Sequence, residues 1–459
     1  MLYLAILALL IVFIVLMTTR WQLHPFLALL GAAVIGGFAY GLPGSDIVDT
    51  IGSGFGKILG GIGLVIAFGT IIGVILERSG AALTMAETIV RLLGERFPTL
   101  TMTLIGYLVS IPVFCDSGYV ILNSLKNAMA TRLKVSVTAM TVALATGLYA
   151  THTFVPPTPG PIAAAGNLGL SHNLGLVIVI GIGVGLITAL AGLLWANRFR
   201  RLHDADAGLL TDASDMPGDT ADADPFAAFR REHGELPGAW QAFMPILLPI
   251  ALICLGSIAS LPAAPLGSGW LQALLEFLGD PLIALAAGLL VATRLLTSGQ
   301  RLTELKERAG EGITACAPIL LITGAGGAFG AVLQATPLGD YLGRTLSELG
   351  IGLFMPFLVA AALKTAQGSS TVALVTTSAL VAPMMSSLGL DSEIGRALAV
   401  MAIGAGAMTV SHANDSFFWV VTQFSRMPVS LGYRAQTTAT LIQGITGIVV
   451  VWLLSLVLL

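Results

Sequence analysis

Phe114-Cys-Asp-Ser-Gly-Tyr119 and Thr151-His-Thr-Phe-Val-Pro-Pro-Thr-Pro-Gly160 interrupt an otherwise apolar chain. Two more interruptions follow in the second half: Lys364-Thr-Ala-Gln-Gly-Ser-Ser-Thr371 and Ser411-His-Ala-Asn-Asp-Ser416. A polar group left unsatisfied in a hydrocarbon medium costs several kcal/mol, so such stretches are kept only where protein or water meets them. Their arrangement as two pairs, one in each half, predicts a single site assembled from two related halves, a common plan among secondary transporters.

The surrounding composition sets the class. Of 459 residues, 56% are hydrophobic and 10% charged, against about 25% charged in a soluble protein. The chain reads as an all-α polytopic membrane protein. A formal net charge of −3 gives no basic surface for nucleic acid. The three cysteines, Cys115, Cys254 and Cys316, lie too far apart for a metal or redox motif and read as small packing residues. No cofactor or metal is implied.

Helical spans need about 17–25 apolar residues. Clear runs occupy 2–17, 25–40, 58–76, 174–196, 243–261, 281–296, 313–333 and 437–459. The first lacks a basic stretch before it and a small-residue cleavage site after it, and reads as a membrane helix rather than a signal peptide. Shorter runs lie at 100–115, 119–129, 135–150, 354–363, 372–385, 394–410 and 417–424, with an amphipathic stretch at 80–96. The acidic, proline-bearing segment 197–241 predicts a mobile cytoplasmic linker. It separates a first membrane repeat, 1–196, from a second, 242–459, with a similar order of elements.

Positive charge supports an orientation for these elements. If both termini are periplasmic, every Lys and Arg except Lys57, Arg344, Lys364 and Arg396 falls on the cytoplasmic side, with Lys126, Arg132 and Lys134 in one inner loop. The hairpin around Asp116 then enters from the cytoplasm and the hairpin around Gly368 from the other face, as in an inverted repeat.

The polar stretches supply the candidate site. In Asp116-Ser117-Gly118, Pro112 disrupts the preceding helix and Gly118 loosens the backbone. An intramembrane carboxylate such as Asp116 is a functional candidate by default, the competing reading being a cap on a helix starting at Tyr119. The prolines at 156, 157, 159 and 161 predict a broken helix around His152. The break exposes Thr153 and Thr158, and a new helix starting near Pro161 offers its positive end to an anion. His152 is a natural proton carrier or, alternatively, a hydrogen-bonded core residue. Gln367-Gly368-Ser369-Ser370-Thr371 lets a ligand approach the backbone and offers three hydroxyls, the competing reading being a close helix contact. Lys364 beside it either balances an anion or snorkels to the interface. His412, Asn414 and Asp415 form the matching break, with helix capping as the other role for Asp415. The candidates for proton coupling are Asp116, His152, His412, Asp415 and Lys364.

Two glycine-rich runs are set aside. Gly52-Ser-Gly-Phe-Gly-Lys57 lacks the first P-loop glycine and has Ile58 where Ser or Thr is needed. Gly324-Ala-Gly-Gly-Ala-Phe-Gly330 lies inside an apolar run and reads as a helix-packing surface.

On FCDSGYVILNSLKNAMA at 114–130, ATHTFVPPTPGPIAAAGNLG at 150–169, AQGSSTVALVTTSAL at 366–380 and SHANDSFFWVVTQF at 411–424, the chain resembles the gluconate:proton symporter (GntP) family of the ion-transporter superfamily. The resemblance spans the chain apart from its acidic linker. It implies proton-driven uptake of gluconate or a related sugar acid, hydroxy acid or D-serine across the bacterial inner membrane. It also implies an elevator-type inverted-repeat transporter, homodimeric in the lipid bilayer, with the two hairpin tips and the two breaks around the substrate. A sodium-coupled carrier of the same fold is the nearest alternative. A channel is a lesser one, and an intramembrane enzyme is disfavoured because no nucleophile is paired with a base at a motif spacing.

Overall fold

A computed structural model of the chain describes residues 2–21, 23–93, 96–201, 236–259, 269–297, 299–336, 352–413 and 415–459. Residues 202–235 of the predicted linker lie outside the described residues, as does 337–351 with Arg344, while its last residues from Ala239 already belong to a helix. Among the described residues every regular element is helical. The first half runs α1 (Leu2–Thr19), α2 (Pro25–Ala39), α3 (Gly44–Arg78), α4 (Ala81–Leu93), α5 (Pro98–Val109), α6 (Cys115–Arg132), α7 (Val137–Phe154), α8 (Pro159–Asn167) and α9 (Leu174–Ala196). The second runs α10 (Ala239–Ala259), α11 (Trp270–Gly279), α12 (Pro281–Ala292), α13 (Arg301–Gln334), α14 (Phe354–Gln367), α15 (Ser370–Val381), α16 (Glu393–Met408), α17 (Ser416–Phe424) and α18 (Val429–Leu458).

Five of these segments are long and apolar enough to cross a membrane: Gly44–Arg78, Leu174–Phe199, Ala239–Ala259, Arg301–Gln334 and Val429–Leu458. The pair Trp270–Gly279 and Pro281–Leu295, bent by 69°, makes a sixth if counted as one broken span. Sequence reading missed the first arm of that pair, whose apolar run is cut short by the polar turn at Asp280. It also began the third span at 58, whereas the helix starts at Gly44. The run Gly52–Lys57 therefore lies within a helix, which continues through a π turn at Leu59–Gly63.

Helices α7 and α16 are deeply buried. Every residue of α7 from Thr138 to Phe154 is buried, and so is α16 from Ala397 to Met408. Each is gripped by a neighbour through small residues. A Cβ on Gly147 of α7 would run into the Thr103 carbonyl of α5, and one on Gly406 of α16 into the Phe357 carbonyl of α14. Close backbone approach of this kind is what holds helices together where solvent gives no hydrophobic drive.

Several local expectations are corrected. His152 is not in the break: α7 stays helical through Phe154, because each proline restricts its own position and the residue before it, and the first proline is Pro156. The following helix starts at Pro159, not near Pro161, with Thr158 as N-cap. Asp116–Gly118 is not the hairpin tip, and no helix begins at Tyr119. The turn is Ser110–Phe114, and α6 starts at Cys115 with Asp116 in its first turn. Lys126 is not in a cytoplasmic loop. It is fully buried in α6, with Nζ 2.7 Å from Ser425 Oγ, 3.1 Å from Thr141 Oγ1 and 3.3 Å from Tyr119 Oη. The helix break at His412–Asp415 and the turn at Gly368 lie where the sequence placed them.

Candidate functional site

The second-half hairpin turns on Gly368, whose φ of +90° lies in the left-handed region glycine tolerates. That turn points the Gly368 carbonyl back at Lys364 one helical turn earlier, and Lys364 Nζ donates to it. The same ammonium lies 2.6 Å from Asp415 Oδ2. Both side chains are buried, Lys364 completely. Lys364 therefore does not snorkel to an interface.

Asp415 does two jobs. Its Oδ1 accepts from Phe417 N at 3.1 Å and caps α17, while Oδ2 receives Lys364 and the Ser411 hydroxyl. The break before it is held by Ser411 N donating to Thr440 Oγ1 at 2.9 Å and by Thr437 Oγ1 donating to the Ser411 carbonyl at 2.6 Å. Val410, just ahead, has φ +59°. That conformation is costly for a β-branched residue and persists only where its surroundings over-determine it. His412 Nε2 sits 2.9 Å from the Thr365 carbonyl and fastens the break to α14. Asn414 lies outside the described residues, as does the side chain of Gln367.

The first half meets this pair through Tyr149. Its ring lies 5.7 Å from Lys364 Nζ, stacks on Phe417 at 5.0 Å between centroids and lies parallel to His152 at 6.4 Å. Asp116, in the first turn of α6, lies within electrostatic reach of Asp415 and Lys364. Its Oδ2 accepts weakly from Cys115 Sγ at 3.7 Å, the Ser416 hydroxyl lies towards the carboxyl, and its Oδ1 is buried with no hydrogen bond. The His152 Nδ1 and the Tyr149 hydroxyl are likewise buried and without partners, although the Tyr149 hydroxyl faces Ser370. Buried polar atoms are nearly always satisfied, so three such atoms in one cluster call for a ligand or water.

Four helices begin around this cluster. α6 brings Asp116 and α17 brings Asp415, within electrostatic reach of one another. α15 brings Ser370 towards Tyr149. α8 starts beside α15, since a Cβ on Gly160 would sit 3.7 Å from Thr371 Cα and 2.7 Å from Leu374 Cδ1. The backbone N–H groups of a helix's first turn have no partners within the helix, and the helix dipole favours negative charge there. Their convergence suits an anionic ligand.

Not every sequence candidate belongs to the cluster. Ser117 points to Glu77 of α3. Gly118 serves packing, since a Cβ there would meet Leu148 Cδ2 at 2.8 Å. Thr153 Oγ1 donates to the Tyr149 and Ala150 carbonyls and Thr158 Oγ1 to Val155 O at 2.6 Å, so both hydroxyl protons are engaged locally. Ser369 Oγ caps α15 through Val372 N at 3.3 Å. Tyr149 and Phe417 are the residues sequence reading missed as parts of the site. Tyr149 sits in an apolar run, and only its spacing of three residues before His152 hinted at a shared helical face.

A sequence profile for the GntP family permeases matches residues 2–457. The chain is 34% identical to a gluconate permease of Pseudomonas aeruginosa over 98% of its length and 96% of that protein's. It is 34% identical to the D-serine transporter DsdX of Escherichia coli, with 97% of each chain covered. Among solved structures, the fold is similar to that of the YdaH transporter of Alcanivorax borkumensis, with a TM-score of 0.61 and 17% identity over 89% of this chain and 87% of that one.

Proposed function

The chain belongs to the GntP family of permeases, multi-pass membrane transporters rather than enzymes, and on that premise we propose that it takes up gluconate or a related small hydroxylated acid across the bacterial inner membrane together with a proton. The observation that carries the reading is the buried, unpartnered trio of Asp116 Oδ1, His152 Nδ1 and Tyr149 Oη at four converging helix starts. The substrate carboxylate takes those first-turn N–H groups that no cap occupies, Val372 N and Phe417 N being held by Ser369 and Asp415, and the hydroxyls of Ser370 and Thr371. Its hydroxyls are met by Tyr149, His152 and the second break, with Gln367, Asn414 and His412 as further contacts.

Coupling follows from charge. A substrate anion placed near ionised Asp116 is repelled, and protonation of Asp116 removes the repulsion. By reciprocity the bound anion raises the affinity of Asp116 for its proton, so the two enter together. His152 and His412 offer routes for that proton, and Asp415 with Lys364 keeps the opposing side of the site electrically balanced.

The matched order of α5–α6–α7–α8 and α14–α15–α16–α17, each a hairpin followed by a broken helix, supports an inverted repeat. In that reading, repeats 1–196 and 242–459 flank a cytoplasmic linker, both termini are periplasmic, and the helices around the site move as an elevator within a homodimer. Lys126 no longer counts towards the charge asymmetry behind this orientation. The remaining basic residues that suggested it are unaffected.

Proteoliposomes containing the full chain test the reading. An imposed inward proton gradient should drive gluconate accumulation, and a sodium gradient alone should not. Accumulation driven only by sodium would replace this reading with a sodium-coupled one. The relative named as a D-serine transporter makes D-serine the second substrate candidate. Competition of labelled gluconate uptake by unlabelled D-serine separates the two.

A further inference from the structure

The Lys364 ammonium meets oxygens of two kinds, the Gly368 carbonyl at the hairpin turn and the Asp415 carboxylate at the break, and the Ser411 hydroxyl donates to that same carboxylate oxygen. The face of Tyr149 covers it at 5.7 Å. An unwound backbone carbonyl with a carboxylate is an all-oxygen donor set of the type hard cations take. Unwound backbone carbonyls at breaks in membrane helices are also where transporters coordinate coupling ions. Here a side chain of the protein brings the positive charge.

The surroundings suit a fixed cation. Lys364 is completely buried and Asp415 nearly so, so neither charge is shared with solvent. The other ionisable groups facing the pair are Asp116, Cys115, His152 and Tyr149. Gly368 at φ +90° and Val410 at φ +59° hold the two donor segments in uncommon backbone conformations on either side of the ammonium, and such conformations persist where contacts over-determine them.

We infer that the Lys364 ammonium occupies a monovalent-cation site formed by Gly368 O and Asp415, with Ser411 bracing the carboxylate, so that a tethered charge replaces a coupling sodium ion and joins the hairpin turn to the break. The inference rests on the transport reading above and adds a specific consequence. Removing the ammonium leaves an anionic, oxygen-lined vacancy of the size of one side-chain head, and Na⁺ from solution fills it.

The test uses K364A and, as a second variant that keeps a polar group, K364S, each as the full-length chain. In proteoliposomes the wild type should take up gluconate equally in sodium chloride and choline chloride. K364A should lose uptake by about tenfold or more in choline chloride, as loss of one buried charge contact predicts, and regain part of it in sodium chloride. In detergent, sodium chloride should raise the melting temperature of K364A or K364S by about 2–4 °C over choline chloride, because a ligand that binds only the folded state stabilises it. The wild type should show no such difference. Folded variants without a sodium-specific rise, or a wild type that needs sodium for uptake, overturn the inference. A wild type that transports no gluconate under any gradient defeats the transport reading instead, and the melting comparison still decides this one.

Discussion

Lys364 Nζ lies 2.6 Å from Asp415 Oδ2, a buried ion pair between residues 51 positions apart that joins the turn of one hairpin to the start of the last short helix. Taking two charges out of water is costly, and a buried pair is repaid only when its remaining atoms are also hydrogen-bonded. Here they are: Gly368 O on the lysine side, Ser411 Oγ and Phe417 N on the aspartate side.

Removing one partner leaves the other as an uncompensated buried charge. Asp415→Ala is expected to destabilise the folded protein by about 3–5 kcal/mol, and also to uncap α17. Asp415→Asn keeps an oxygen for the cap and should cost less. Thermal unfolding of the purified variants in detergent checks the order. An Asp415→Ala protein that unfolds at the wild-type temperature would contradict it.

Asp116 has one buried oxygen without a partner, so its role is read as coupling rather than as structural bonding. Asp116→Asn removes the titratable charge at nearly constant shape. Uphill, proton-driven uptake should be lost, while exchange of internal for external substrate survives, since exchange needs no net proton movement. Full accumulation by this variant would refute the coupling role.

The Tyr149 hydroxyl is buried and unpartnered, but its ring stacks on Phe417. Tyr149→Phe keeps the ring. Its melting temperature should stay at or slightly above the wild-type value, because an unsatisfied polar group is removed. The KM for gluconate should rise about tenfold if the hydroxyl meets the substrate, the equivalent of one hydrogen bond of about 1.4 kcal/mol. An unchanged KM would place the substrate elsewhere.

Gly147 sits where α7 meets the backbone of α5, and a Cβ there would run into the Thr103 carbonyl. Gly147→Ala should therefore force the two helices apart at a cost of about 1–3 kcal/mol, against the usual gain in helix propensity from Gly to Ala. Size-exclusion profiles and melting temperatures check this. A variant more stable than the wild type would show that the crossing can relax.

Part of this was legible in the sequence because it depends on local rules. The apolar runs, the turn at Gly368 and the stop at His412–Asp415 follow from hydrophobicity, glycine freedom and polar cost in a membrane. The family likeness was carried by contiguous motifs. The errors were also local. The prolines after His152 stop the helix only from Val155 onward, so His152 stays on the helical face with Tyr149. Asp116 was read as a tip because Pro112 and Gly118 flank it, yet the turn closes on Ser110–Phe114 and leaves Asp116 in a helix.

By itself, the sequence determined an all-helical membrane permease with polar breaks in each half, because helix formation and membrane burial depend on residues close together in the chain. Only the tertiary structure decided which charges meet. Lys126, assigned by sequence to a loop, is buried among hydroxyls that include Ser425, 299 positions away. Lys364, left between two readings, is committed to Asp415. Tyr149 joins the site because α7 is packed against elements of the other half. Charge pairing acts through space at a few ångströms and falls with distance and dielectric rather than with chain separation, so the partners could not be read from residues taken one segment at a time.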